Sequence, residues 1–140
     1  GAGRRNLTPM DLHDVQASIF ASTGAERPSD WIGTPLQNLG EAEAFRIVFS
    51  EYHGHGASAS SFMVRQGDWK YIHHIGAPHQ LFNLKEDPDE LSNVFDSDSS
   101  RAESMEGYLR QICDPAAENK RAETFINKQL EQVERHGSER

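Results

Sequence analysis

Glu51, His53 and His55 fall close together in the run Glu51-Tyr52-His53-Gly54-His55-Gly56-Ala57-Ser58-Ala59-Ser60. One carboxylate and two imidazoles form a donor set that divalent metals accept. Their spacing suits neither one face of a strand nor one turn of a helix, and no further ligand cluster accompanies them, so no metal ligand is assigned. His73 and His74 are neighbours, which on a strand puts them on opposite faces and keeps them from chelating one ion together. The expectation is one partly buried and one exposed histidine. Asp87, Asp89 and Glu90 carry the charge of a calcium loop, but Pro88 stands between them and a solvated turn explains the same residues. Cys113 is the single cysteine, so no intrachain disulfide is possible and the redox compartment stays open.

These groups sit on or beside elements that the hydrophobic pattern predicts. Phe45, Ile47 and Phe49 alternate with polar or smaller neighbours, as a half-buried strand requires, and the glycine- and serine-rich run after Glu51 reads as a loop. Phe62 and Val64 continue the alternation in Ser61 to Arg65. Gln66-Gly67-Asp68 then turns the chain, and Trp69, Tyr71 and His73 share one face of the returning strand. Gly76-Ala77-Pro78 breaks the ladder, Gln80 to Leu84 forms another short strand, and the acidic run around Pro88 cannot extend it. On either side lie helices. Thr8-Pro9 can start the first, with Leu12, Val15, Ile19 and Phe20 at helical spacing and Gly24 as its stop. Ser100 and Glu103 form a capping box before the stripe Met105, Tyr108, Leu109 and Ile112. Asp114-Pro115 opens a last helix with a lean apolar edge of Ala122, Phe125, Ile126, Leu130 and Val133 on a charged body. The fold class expected is α+β: a small antiparallel sheet of about four strands packed by a helix, with an additional N-terminal helix and a peripheral C-terminal helix.

With 140 residues the chain can bury one core, and its net charge of −8 argues against a nucleic-acid partner and offers no basic tail to an anionic membrane. No apolar run approaches the roughly 20 residues that span a bilayer. The amino terminus also lacks the charged-then-apolar pattern of a secretory signal.

The run Arg65-x-Gly67-x-Trp69-Lys70-Tyr71-Ile72, followed by Leu81-Phe82-Asn83-Leu84-x-x-Asp87-Pro88-x-Glu90-x-x-Asn93, resembles the carboxy-terminal subdomain of sulfatases in the alkaline phosphatase superfamily, of the arylsulfatase and choline-sulfatase kind. Asn83 stands where the family more often has Asp. Upstream, Asp14-Val15-x-Ala17-Ser18-Ile19-Phe20-x-x-x-Gly24 is similar to the family's Asp-Leu-x-Pro-Thr-Leu-Leu helix, with Ala17 and Ser18 in place of its Pro and Thr. Trp31-Ile32-Gly33-Thr34-Pro35-Leu36 is similar to its Gly-x-Ser-Leu crossing segment.

The resemblance implies that residues 1–44 end a large catalytic domain, 45–113 form the C-terminal subdomain and 114–140 a helical extension, with the front of the protein preceding Gly1. It implies a parent that hydrolyses sulfate esters, or phosphate or phosphonate esters as relatives do, with a divalent cation such as calcium and a formylglycine. Cys113-Asp114-Pro115-Ala116-Ala117 imitates the start of the formylglycine motif but lacks its Ser and Arg, so this chain is expected to hold no catalytic residue and no cofactor and to be inactive alone. In related enzymes the loop between the first two strands faces the active-site mouth. Glu51, His53 and His55 are therefore substrate-binding candidates, Glu51 for a cationic group and the histidines for hydrogen bonding or stacking; the competing reading is a solvated glycine-rich loop. The partners implied are the catalytic domain, a small-molecule sulfate ester and a second copy through exposed apolar surface. The alternative function is a free-standing, non-catalytic binding or oligomerisation module. The compartment stays undetermined between cytoplasm and periplasm.

Overall fold

The computed structural model describes residues 7–40, 45–54 and 59–137. Four strands, β1 (Ile47–Tyr52), β2 (Ser61–Gln66), β3 (Trp69–His74) and β4 (Gln80–Asn83), pair in chain order as an antiparallel meander. Helix α1 (Leu12–Thr23) precedes the sheet, and α2 (Ser99–Ile112) and α3 (Pro115–Gly137) follow it. This is the expected α+β class.

Register explains the core. Phe49 pairs with Val64, Val64 with Tyr71 and Tyr71 with Leu81, so one row of apolar side chains crosses all four strands on a single face. Helix α2 lays Ala102, Met105 and Leu109 on that face, and Phe62, Val64, Tyr71 and Leu81 are buried beneath it. The hairpin between β2 and β3 has the two-residue loop Gly67-Asp68, flanked by the pair Gln66 and Trp69. Gly67 takes φ 57°, which a side chain would resist.

The stretch after β4 is held by its own polar side chains. Asp87 accepts the amides of Leu91 and Ser92, and Glu90 grips Lys70 Nζ with both oxygens at 2.9 and 2.6 Å. Asn93 accepts the amides of Leu81 and Phe95 and donates to His79 O. The motif residues Asp87, Glu90 and Asn93 therefore serve as turn builders, and the calcium-loop alternative has no spare carboxylates at Asp87 or Glu90.

Three local expectations are corrected. Helix α1 is capped by Asp11, in a reciprocal box with Asp14, and not by Thr8, whose hydroxyl instead donates to Gly40 O at 2.9 Å. Pro9 likewise precedes the helix. Helix α2 is capped by Asp98, which accepts Arg101 N at 3.0 Å, so the Ser100–Glu103 box does not form; a carboxylate in the right place outcompetes the hydroxyl two residues inside the helix. β1 begins at Ile47 and reaches Tyr52, leaving Phe45 exposed, because its register is set by pairing with β2 and not by its own alternation. His73 and His74 do take opposite faces, but both are more buried than expected: His73 is buried, because the rings of Phe62, Tyr71 and His79 pack around it, and His74 is half-buried and not exposed, because it is bonded to Ser61 and Gln80.

Helix α1 and the segment after it are tied together by Asp14. Its carboxylate has no exposed surface and receives Arg46 through two bonds of 2.7 and 2.8 Å, Thr34 N at 2.8 Å and Asp11 N at 2.9 Å. Burial would raise its pKa, but the Arg46 hydrogen bond and the two backbone amides outweigh that and hold it below its ordinary value. Gly33 lies so close to α1 that a Cβ would sit 2.1 Å from His13 O, so no other residue passes there.

Candidate functional site

Two of the three candidate residues lie within the described structure. Glu51 pairs with Phe62 and so shares the face that α2 covers, near the end of β1. His53 follows immediately, its ring edge-on to Phe62 at 5.4 Å and its Nδ1 2.7 Å from Ser60 Oγ. His55 lies outside the described residues. Glu51, at the end of β1, and His53, two residues on and just past the strand, thus both lie against Phe62.

What the sequence did not indicate is that α3 comes to meet them. Asp114 accepts Ala116 N at 3.0 Å and Pro115 is fully buried, which starts the helix as expected. One turn on, Asn119 is buried and accepts Ser60 N at 2.9 Å, while its amide donates to Glu123 at 2.7 Å. Nothing in the pattern of a charged helix distinguishes Asn119 from its neighbours. This one side chain sets the helix against the end of the β1–β2 connection.

Between the two elements is a cavity of about 470 Å³ lined by Glu51, His53, Arg121, Ala122, Phe125 and Ile126. The expected apolar edge of α3 is its far wall, and Phe125 remains 63% exposed. His53 Nε2 lies 3.2 Å from Glu51 Oε2 without hydrogen-bond geometry, which leaves a buried ring nitrogen with no hydrogen-bond partner at the cavity. Arg121 is held by Glu118 at 2.6 Å. The cavity therefore presents an aromatic platform, a carboxylate, an imidazole nitrogen and a guanidinium, a combination suited to a polar organic group with apolar faces.

Cys113 closes α2 as its last cap, half-buried, with its thiol pushed up chiefly by burial, the opposite of an activated sulfur. No helix among the described residues is long and apolar enough to cross a membrane.

No protein-family model matches the chain. It is 38% identical to arylsulfatase K of Danio rerio over 132 residues, which is 87% of this chain and 25% of that protein. With arylsulfatase K of Homo sapiens it shares 46% identity over 107 residues, 66% of this chain and 20% of that protein. The chain spans about a quarter of the length of the curated relatives it matches. Among solved structures, a 2-O GAG sulfatase superimposes with a TM-score of 0.59 at 23% identity, covering 71% of this chain and 23% of that one. A protein solved with k-i-k-neocarrahexaose gives a TM-score of 0.58 at 23% identity over 79% of this chain and 25% of that one. These structures share the fold.

Proposed function

Because the chain is homologous to the carboxy-terminal region of sulfatases in the alkaline phosphatase superfamily, we propose that it is that region of a sulfate-ester hydrolase and that it forms a wall of the substrate pocket. Residues 1–44 then complete the large catalytic domain, residues 45–113 form the subdomain that covers it, and residues 114–140 add the helix that deepens the pocket.

Sulfatases in general require a divalent metal and a formylglycine. The residues of this chain that most resemble the formylglycine motif and the acidic ligands of that catalytic metal fit neither group. Cys113 lacks the following Ser and Arg of the formylglycine motif, Asp114 is spent capping α3, and Asp87 and Glu90 are committed to the turn after β4. Both groups belong to the catalytic domain, and this chain contributes binding.

The observation that supports the reading is the cavity lined by Glu51, His53 and α3, where His53 keeps a buried ring nitrogen without a hydrogen-bond partner. Glu51 would take a cationic or hydroxyl group of the ester's organic part, His53 a hydrogen bond, and Phe125 a stacking contact. Replacing Glu51 by Ala in the full-length enzyme is expected to raise KM for some sulfate esters and leave others unchanged. An unaltered substrate profile would remove Glu51 from the pocket.

A further inference from the structure

Away from that cavity, at the edge of the core, three residues from three elements converge. His73 stands on β3, His79 in the connection to β4, and Glu106 on α2, and each offers one nitrogen or oxygen within 4.8 Å of the other two. It is the one such trio of potential ligands among the described residues. We propose that His73, His79 and Glu106 form a binding site for a divalent transition-metal ion of the zinc class, which clamps α2 and the β3–β4 connection onto the sheet.

The donor set is the first argument. Two imidazoles and one carboxylate suit zinc, whereas calcium and magnesium prefer oxygen throughout. Bonds of about 2.1 Å set tetrahedral ligand atoms about 3.4 Å apart. His73 Nδ1 and Glu106 Oε2 are already at 3.6 Å.

The supporting partners are the second. The Tyr71 hydroxyl donates to Glu106 Oε2, and Arg110 holds Oε1 at 2.9 and 2.8 Å, so the carboxylate is aimed from both sides as ligating carboxylates are. Tyr71 Oη is also 3.3 Å from His73 Nδ1, and a water bonded to it can complete the shell.

His79 is the ligand that must adjust. Its ring stacks on His73 with centroids 4.1 Å apart and planes 25° from parallel, so the two nitrogens point alongside one another and do not yet converge. Its Nδ1 accepts His74 N at 3.2 Å. A turn of the ring that gives up this bond brings a nitrogen to the ion, and the exposed Gly76-Ala77-Pro78 turn just before it leaves the backbone room to follow.

Access is the third argument. A cavity of about 350 Å³ reaches one of the three ligands, Glu106, which stands in its wall together with Phe95, Asp96 and Glu103. Its carboxylates concentrate cations at the opening. Phe95, in the same wall, packs edge-on to His79 at 5.4 Å.

The test is titration of the tag-free, chelator-treated full chain with ZnCl₂ at neutral pH, followed by calorimetry, with the visible spectrum of added Co²⁺ as a second readout. One equivalent should bind and raise Tm, and Co²⁺ should give a tetrahedral spectrum. His79→Ala and Glu106→Gln, each checked for folding by near-UV circular dichroism, should weaken binding by at least about tenfold. His74→Ala and His53→Ala should not. Absence of stoichiometric binding, binding that survives H79A and E106Q, or binding lost in H53A instead would overturn the proposal, the first leaving the stacked imidazoles as packing alone.

Discussion

Asp14 has no exposed surface, and both of its oxygens are committed to Arg46 and to backbone amides on either side of α1, Asp11 N before it and Thr34 N in the crossing segment after it. Removing one member of such a pair is costly, because the structure around it is built to hold the charge. Asp14→Ala should destabilise the chain by about 3 kcal/mol, toward the low end for a buried pair since Arg46 is 22% exposed. The pH dependence follows from the depressed pKa. A carboxyl held below its ordinary 3.8 when folded binds its proton more readily when unfolded, so its stabilisation is complete above pH 3.8 and is lost as pH falls below that value. Urea midpoints of the parent and of Asp14→Asn should therefore differ most near neutrality and converge under acid, and a constant difference would contradict this. The sequence marked Asp14 only through its place in a family-like helix; its load comes from Arg46, 32 residues away.

Among the elements, the sheet was the most legible part. Alternation in Ser61 to Arg65 and in Trp69 to His74, with Gly67 between them, marked the central hairpin, and the register bears out Phe62, Val64 and Tyr71 as core. Helix starts were less legible, since Thr8 and Ser100 have the right chemistry but Asp11 and Asp98 hold the caps. The position of α3 was not legible at all. It depends on Asn119 accepting the amide of Ser60, a contact across 59 residues that no local periodicity records. Glu51 and His53 were legible as candidates, but the α3 wall opposite them was not, and neither was the stacking of His73 on His79 across a turn. Asn119→Ala would leave a buried amide without its acceptor, at a cost of about 1–3 kcal/mol. Because that cost falls on the docking of α3, limited proteolysis should cut first within α3, while amide exchange in β2 and β3 stays slow. Equal loss of protection across the sheet would contradict a local role.

Taken whole, the molecule carries apolar surface at both ends of its sequence. Leu12 is 82% exposed, and Ile19, Ile32 and Phe45 are likewise open to solvent, while Phe125, Leu130 and Val133 form a second stripe along α3. Surface of this kind on a chain that spans a quarter of its relatives is expected where a larger domain packs. The isolated chain should accordingly self-associate as its concentration rises, and light scattering that reports a monomer throughout would count against that domain contact. The cavity between β1 and α3 is tested by KM across a panel of sulfate esters for His53→Ala, Phe125→Ala and the double variant of the full-length enzyme. If both walls contact one bound ligand, the two single changes will raise KM for the same esters, with little change in kcat, and the double variant will fall short of their product. Single changes that affect different esters, or none, would contradict a shared substrate pocket.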